Sequence, residues 1–490
     1  MNTEDIQCGK WRILIPQNPS PVFRCAVCDF YGILSSYLPY PPAVSYEESY
    51  DIREFSGENL VLLGTADSGK MLSGLINQGM LEAETHKEGY SVKITASPYR
   101  EGRELLLLYG ADEAGLLHAV HALDREFIRP VLRYRSTNRR FEPFCEPCGA
   151  WEKRSFPKID NRGIWTWGHK IYDYRKFLRH ISELGMNMLT VWNDAVPYNA
   201  PELLSEAHRR GIRVFWGYSA CWGISGVDPL DPKQQEDWCR QVVDNYLTQY
   251  QPLGGDGVYF QAFTETAETE IGGVPIAELI GRWSDAICAA LHKADPALDI
   301  QFGIHASSIK EHYEALRALD PDVMITWEDC GGFPYSYSPD TVKDAPAALR
   351  YTEELLRLNG EQTRFGAVLK GFTVLDWSHF NHYEKGSAVI GEAPEEYIRA
   401  RAQYKEYCWQ NVRPYWLLQA EEYKAWVQCV SEAGIRETTV TALIEDGVFE
   451  ADIDLSAALF ASLLWDWDAD LSKLIPMLSR AGNIYPVQQY

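Results

Sequence analysis

The stretch Phe177-Leu-Arg-His-Ile-Ser-Glu-Leu-Gly-Met-Asn-Met-Leu-Thr-Val-Trp192 joins the two kinds of element that decide the fold. Its first half carries apolar residues that share one face of a helix, namely Phe177, Leu178, Ile181 and Leu184. Gly185 stands where such a helix usually ends, and the apolar run 186–192 that follows has the composition of a buried strand. A helix followed directly by a buried strand is the repeating unit of an α/β protein.

The same alternation of apolar runs and amphipathic segments extends over the chain from about residue 160 onward. The other runs are 163–167, 212–218, 257–263, 299–304, 322–327, 365–372 and 438–443. Eight strand–helix repeats in roughly 320 residues are typical of a (β/α)8 TIM barrel. The structural alternative is a doubly wound open sheet. That fold more often has a glycine-rich nucleotide turn after its first strand, and Thr166-Trp-Gly-His169 is not such a turn.

The part of the chain before the barrel has a different pattern. Residues 1–130 predict a small α+β domain, with strands at 59–64, 90–95 and 104–109 and helices at 67–79 and after Asp112. Residues 131–160 are basic and contain several prolines and aromatic residues, so we predict a linker there. Residues 161–490 are then the catalytic barrel with its C-terminal helices.

Composition and charge limit the possible partners. The chain has 490 residues, 46% of them hydrophobic, and a formal net charge of −23, so it repels phosphate backbones and anionic lipid surfaces. We expect no nucleic acid partner, no membrane association and no secretory signal, and therefore a cytoplasmic protein with free thiols. The sequence leaves open whether the protein is a monomer or a homodimer.

The ends of the predicted strands carry tryptophan, acids, histidine and amides. In a TIM barrel these ends form the active site. The residues at these ends are Trp165, Trp167 and His169; Trp192, Asn193 and Asp194; Tyr218 and Trp222; Thr264 and Glu265; His305; Trp327, Glu328 and Asp329; Asp376, Trp377 and His379; and Glu445 and Asp446. Indole rings stack on the C–H faces of sugars, and sugar hydroxyls pair with Asp, Asn and His. The pattern predicts a carbohydrate site, with core packing of these aromatics as the alternative.

Hydrolysis of a glycoside needs two carboxyl groups, one to protonate the leaving oxygen and one to act as nucleophile or base. Glu265 is the first candidate for the acid, because it follows directly on the alternating buried run 257–263. The candidates for the second carboxyl group are, in order, Glu328 with Asp329, Asp376 and Asp446. Trp327 beside Glu328 is predicted to supply an apolar wall that would keep an acid protonated.

Several motifs resemble cofactor sites without matching them, and we expect no cofactor and no metal. Gly64-Thr-Ala-Asp-Ser-Gly-Lys-Met71 differs from a phosphate-binding loop by the methionine at the magnesium-binding position. His379-x-x-His382 lacks the usual spacing and a third ligand. The pairs Cys25/Cys28 and Cys145/Cys148 could together hold zinc, but the first pair lies in a run that we predict as a strand, where the thiols would point apart.

Three parts of the chain resemble the β-N-acetylhexosaminidases of glycoside hydrolase family 20 and the related family 67 α-glucuronidases and family 84 enzymes. They include Leu60-Val-Leu-Leu-Gly-Thr65, Asn161-Arg-Gly-Ile-Trp165 and Val440-Thr-Ala-Leu-Ile-Glu-Asp-Gly447. The resemblance implies an N-terminal α+β domain, a TIM barrel and glycosidase activity. Family 20 enzymes have adjacent Asp and Glu after the fourth strand. Glu265 matches the general acid, but Thr264 stands where the Asp would hold the 2-acetamido group.

The resemblance also implies a substrate site. Arg162 matches the arginine that binds the terminal sugar in family 20, and the number of tryptophans favours an exo-acting pocket. The predicted substrate-binding residues are Arg162, Trp165, His169, Trp192, Asn193, Asp194, Tyr218, His305, Trp327, Trp377, Asp446 and Trp465. Two alternatives stay open. One is an inverting α-glucuronidase-like hydrolase, in which Arg162 or Lys370 would pair with a uronate, and the other is a catalytically inactive barrel that binds glycans.

Overall fold

The computed structural model describes most of the chain in two compact units. Unit 1 comprises Met1–Pro157, His208–Gly211 and Ser479–Tyr490, and unit 2 comprises Lys158–Ala207 and Ile212–Leu478. The described residues are 11–37, 41–53, 58–128, 150–167, 171–192, 195–220, 226–264, 266, 268–305, 308–309, 312–328, 345–373, 387–444, 447, 449–450 and 453–481. None of the helices within these ranges is long and apolar enough to cross a membrane.

Unit 1 contains a six-stranded sheet in the order β2-β1-β3-β5-β4-β6. Its strands are β1 (Trp11–Ile15), β2 (Ala43–Tyr46), β3 (Asn59–Thr65), β4 (Tyr90–Ala96), β5 (Glu104–Gly110) and β6 (Trp151–Ser155). Its helices are α1 (Pro21–Tyr37), α2 (Lys70–Asn77) and α3 (Glu113–Ala122). β4 is antiparallel to both its neighbours, whereas β1, β2, β3 and β5 run parallel.

The predicted elements between 59 and 122 are present, and Asp112 caps α3 by accepting a hydrogen bond from the amide of Gly115. The prediction of a strand around Cys25 and Cys28 is wrong. Both lie on α1, whose buried residues recur at helical spacing, with Phe23, Ala26, Phe30 and Leu34 on one face. Cys145 and Cys148 lie outside the described residues. The predicted linker 131–160 contains the edge strand β6.

The loop that resembles a phosphate-binding motif leads into α2, and a carboxylate of the protein itself lies at the N-terminus of this helix. The carboxylate of Glu47 accepts a hydrogen bond from the amide of Met71 (3.2 Å) in the first turn of α2. Glu47 is buried, and its desolvation raises the pKa of the carboxyl group. An anion-binding position of this kind attracts phosphate in nucleotide-binding proteins. Here a side chain of the protein itself occupies it.

Unit 2 contains a closed eight-stranded parallel barrel, which confirms the α/β TIM-barrel prediction. The barrel strands are β7 (Asn161–Trp167), β8 (Met188–Trp192), β9 (Arg213–Ser219), β10 (Gly257–Gln261), β13 (Ile300–His305), β14 (Met324–Glu328), β15 (Arg364–Phe372) and β16 (Glu437–Ile444). A short hairpin, β11 (Glu270–Ile271) and β12 (Val274–Pro275), follows β10. Each of the eight predicted runs corresponds to one barrel strand, and β16 closes the barrel by pairing with β7.

Helices surround the barrel. They are α4 (Tyr174–Glu183), α5 (Ala200–His208), α6 (Pro232–Asn245), α7 (Ile276–Ala294), α8 (Ala345–Leu356), α9 (Glu395–Ala400), α10 (Ala402–Leu418), α11 (Ala420–Ser431), α12 (Leu455–Trp465) and α13 (Leu471–Ala481). The large apolar core lies between these helices and the outward-facing residues of the strands, such as Val258 and Phe260 of β10. Their neighbours Tyr259 and Gln261 point into the barrel, because successive residues of a strand face opposite sides.

The N-terminal end of the barrel is held by a network of charged side chains. The guanidinium of Arg364 at the start of β15 contacts Asp299 (2.8 Å) and Glu437 (2.6 Å). Arg213 pairs with the same Asp299 (3.2 Å) and donates to Asn161 (2.7 Å). Burial by itself would raise the pKa of Glu437, but its hydrogen bond and charge interaction with Arg364 outweigh this and lower it. One network of charged and polar side chains therefore joins the starts of β7, β9, β15 and β16 and the residue just before β13.

We expect Arg364→Met to lower the free energy of unfolding of the barrel by about 2 kcal/mol, because it leaves two half-buried carboxylates without the buried cation that they share. Urea unfolding followed by tryptophan fluorescence measures this change. Arg436→Met is the matched control, since the Arg436–Asp322 pair (2.5 Å) is exposed and should contribute less than about 1 kcal/mol. Equal effects of the two substitutions would contradict a structural role for the network.

Candidate active site

An aromatic cluster fills the interior of the barrel below its C-terminal end. Trp165, Trp192 and Tyr259 come from inward-facing positions of β7, β8 and β10, with Val368 and Leu443 packed beside them. The ring centroids of Trp165 and Trp192 lie 5.9 Å apart, and Tyr259 meets them edge-on at 5.8 and 6.1 Å. The cluster forms a rigid apolar floor beneath the last inward-facing residues of the strands.

A buried polar cluster lies at the C-terminal ends of β10, β13 and β14. The hydroxyl of Tyr259 donates to Oε1 of Glu328, and the amide Nε2 of Gln261 donates to Oε2 of the same carboxylate (2.9 Å). Gln261 Nε2 also lies 2.9 Å from Nδ1 of His305, and His305 Nε2 lies 3.4 Å from Glu328 Oε2. Each of the four residues is at most 6% exposed. A carboxylate is thus held in the interior by three polar side chains.

The strand register explains why these four residues meet. Gln261 of β10 is paired with Gly303 of β13, and His305 of β13 is paired with Glu328 of β14. Gly303 leaves the space through which Tyr259 reaches Glu328. A Cβ atom at that position would lie 2.1 Å from the tyrosine hydroxyl and 2.6 Å from Glu328 Oε1. The contact between Tyr259 and Glu328 therefore requires glycine at 303.

The backbone just beyond β10 is anchored to β13. The hydroxyl of Thr264 accepts a hydrogen bond from the amide of His305 (3.0 Å), and the carbonyl of Thr264 accepts one from the hydroxyl of Ser308 (2.8 Å). Thr264 is fully buried, so its side chain is used in joining the two strand ends. The next residue is Glu265, the predicted acid, which lies outside the described residues.

The structure brings together four of the predicted site residues, namely Trp165, Trp192, His305 and Glu328. It places Tyr218 and Trp327 on the opposite side of the strands. Tyr218 stacks on Tyr250 with a centroid distance of 4.9 Å, and Trp327 packs edge-on against Tyr351 of α8 at 6.4 Å. The prediction that Trp327 walls the carboxylate of Glu328 is therefore wrong, because adjacent residues of a strand face opposite sides.

Arg162 and Trp465 lie at the other end of the barrel. Arg162 is the second residue of β7, and its guanidinium donates to the carbonyl oxygens of Ile159 (2.7 Å), Asp160 (3.0 Å) and Gly185 (2.9 Å). It lies 5.2 Å above the ring of Trp465 at the end of α12. A helix that returns from the C-terminal face ends at the N-terminal face, so neither residue reaches the predicted site.

Eight predicted site residues lie outside the described part of the chain, and two residues of the buried polar cluster were not predicted from the sequence. The predicted residues outside the described part of the chain, which stay predictions, are Glu265, Asp329, Asp376, His169, Asn193, Asp194, Trp377 and Asp446. Sequence reasoning did not select Tyr259 and Gln261 as site residues. The sequence did contain a signal for them, because Tyr259 and Gln261 are the two polar side chains on the inward-facing positions of the otherwise apolar run of β10.

A second buried carboxylate joins the loops that follow β7 and β16. Oε1 of Glu450 accepts hydrogen bonds from the amides of Tyr172 (2.5 Å) and Asp173 (3.2 Å). The ring of Tyr172 packs against Gly447, which has a positive φ of 62°, and the ammonium of Lys405 lies 4.8 Å above the same ring. Burial raises the pKa of Glu450 to about 7. Within the described part of the chain, no group of three or more His, Cys, Asp or Glu side chains could hold a metal ion.

No protein-family model and no curated protein matches the chain. Among solved structures, it is similar to a family GH115 4-O-methyl-α-glucuronidase with specificity for decorated arabinogalactans, at 14% identity and a TM-score of 0.48, over 96% of this chain and 59% of that one. It is similar to CpGH84B at 11% identity and a TM-score of 0.49, over 96% and 70% of the two chains. A β-N-acetylhexosaminidase matches at 10% identity and a TM-score of 0.37, over 81% and 87%.

The chain thus spans less than two thirds of the GH115 protein's length. The barrel assignment follows from its own strand pairing.

The raised pKa of Glu450 predicts a pH-dependent stability. Because the folded state holds the proton more tightly than the unfolded state does, stability is lost as the pH rises from about 4.5 to about 7, by roughly 3 kcal/mol. We expect Glu450→Gln to remove this part of the pH dependence, measured as the free energy of unfolding in urea at pH 5 and pH 8. The exposed Glu202→Gln is the control and should keep the wild-type difference. If Glu450→Gln showed the same difference in the free energy of unfolding between pH 5 and pH 8 as the wild-type protein, Glu450 would be excluded as the titrating group.

Proposed function

We propose that this chain is a glycoside hydrolase in which Glu328 supplies the charged carboxylate and Glu265 supplies the proton. The observation that carries the proposal is the position of Glu328. It lies inside the barrel at the C-terminal end, where TIM-barrel enzymes have their active sites, and it accepts hydrogen bonds from Tyr259 and Gln261. A buried carboxylate at this place is expensive for folding, and retention of such a group is typical of catalytic sites.

The chemistry of glycoside hydrolysis fits this arrangement. The transition state resembles an oxocarbenium ion, and a nearby carboxylate stabilises its positive charge. The carboxylate then either attacks the sugar as a nucleophile or acts as the base that activates a water molecule. The apolar floor of Trp165, Trp192 and Tyr259 keeps the interior below Glu328 free of bulk water, so the charge acts in a low dielectric. We assign the proton to Glu265 because it follows directly in sequence on Thr264, whose hydroxyl accepts a hydrogen bond from the amide of His305.

We propose an exo-acting enzyme that removes a terminal sugar, with a β-N-acetylhexosaminide as the first substrate class because of the resemblance to family 20. One contact favours a second candidate. In family 20 an Asp at the position of Thr264 holds the substrate's acetamido group, whereas the hydroxyl of Thr264 accepts from the His305 amide. A mechanism that relies on a protein carboxylate does not need that Asp. This favours an α-glucuronidase-like hydrolase as the second candidate.

The test is a panel of nitrophenyl α- and β-glycosides, including N-acetylglucosaminide, glucoside, galactoside and glucuronide. We expect the wild-type protein to release nitrophenol from one of them. Glu328→Gln and Glu265→Gln should each lower kcat/KM by at least about a hundredfold, because each removes one of the two carboxyl groups. Unchanged thermal unfolding of both variants would show that the loss is chemical.

Glu268→Gln is the matched control, since Glu268 follows Glu265 by three residues in the sequence and is exposed. It should retain wild-type activity. Full activity in Glu328→Gln would remove Glu328 from the mechanism. Sugar binding without turnover across the panel would instead support a barrel that only binds glycans.

A further inference from the structure

We propose that Tyr259 and Gln261 are positioning residues that hold Glu328 as a carboxylate, so that Glu328 acts as the nucleophile or base and never as the proton donor. The inference rests on the proposed function and adds two residues and an assignment of roles to it. It is carried by the directions of the hydrogen bonds around the two oxygens of Glu328.

Oxygen Oε2 of Glu328 is contacted by two nitrogen atoms, Nε2 of Gln261 and Nε2 of His305. The amide nitrogen of Gln261 can only donate, and its two hydrogens are directed at Glu328 Oε2 and at His305 Nδ1, both at 2.9 Å. Since Nδ1 of His305 then accepts, the imidazole is neutral and its hydrogen is on Nε2, which lies 3.4 Å from the same Oε2. A proton on Oε2 would meet both of these donors, so this oxygen is an acceptor.

Oxygen Oε1 of Glu328 is the partner of the Tyr259 hydroxyl. Trp165 and Trp192 pack against the tyrosine ring at centroid distances of 5.8 and 6.1 Å and restrict its rotation. Gly303 supplies the space for the contact, as a Cβ there would lie 2.1 Å from the hydroxyl. Hydrogen bonds to the charged form of an acid favour that form. Donors to both oxygens therefore favour the ionised form of Glu328 and hold it in one orientation.

The test is the pH dependence of kcat/KM on the glycoside that the wild-type protein cleaves. In Tyr259→Phe, which keeps the ring and removes only the hydroxyl, the pH at which activity falls by half on the acid side should move upward by about one unit. The maximal kcat/KM should fall about ten- to a hundredfold, the value of one hydrogen bond to a charged group. Gln261→Met removes the donor to the other oxygen and should move the acid limb in the same direction.

Tyr218→Phe is the matched control. Tyr218 lies on the neighbouring strand β9 and is equally buried, but its hydroxyl points to the helix side. This variant should keep both the rate and the acid limb of the wild-type protein. A structural defect alone would lower activity in Tyr259→Phe without moving the acid limb.

The outcomes separate the inference from the proposed function. An unchanged acid limb in both Tyr259→Phe and Gln261→Met, with Glu328→Gln inactive, would overturn the positioning role and leave the glycosidase proposal intact. Full activity in Glu328→Gln, or no cleavage of any glycoside by the wild-type protein, would overturn both.

Discussion

The closure of eight parallel strands is the constraint on which the rest of this structure depends. A closed barrel has an inside and an outside, and each strand must send alternate residues to each. In β14 this rule separates Glu328, which enters the polar cluster, from Trp327, which packs against Tyr351 of a surrounding helix. The same rule sends Tyr259 inward and Phe260 outward. The position of a side chain along a strand thus decides whether it can take part in the site.

The interior of the barrel is built in layers of different chemistry. At the N-terminal end, Arg364 and Arg213 balance Asp299 and Glu437, and each charge has a charged or polar partner. The aromatic floor around Trp165 and Trp192 follows, and the carboxylate of Glu328 comes last. The lower network contains its own cations, so it is satisfied within the fold. Glu328, at the C-terminal end, accepts hydrogen bonds from Tyr259 and Gln261 and can stabilise a positive centre in a substrate from there.

The sequence predicts the barrel well, because eight buried runs separated by amphipathic helices fit few other folds. It also places His305 and Glu328 at strand ends, where the structure has them. Strand ends alone do not distinguish inward from outward positions, so the sequence predicts Tyr218 and Trp327 as site residues but not Tyr259. The resemblance brought in Arg162, whose hydrogen bonds to three backbone carbonyls depend on the loops before β7 and β8. Helix α1 was missed because its apolar residues are close enough together to imitate a strand.

The arrangement around Glu328 also bears on the partner that a glycosidase needs. Two carboxyl groups that share a small site cannot both be charged without repulsion, so a fixed anion favours the protonated form of any acid that approaches it. Hydrogen-bond donors on the strands favour the ionised form of Glu328. The second acid therefore needs no apolar environment of its own to stay protonated. Glu265, the proposed acid, follows in sequence directly on Thr264, which ties the end of β10 to β13. The charge of one carboxylate, set by the strands, would thereby define the protonation of the other.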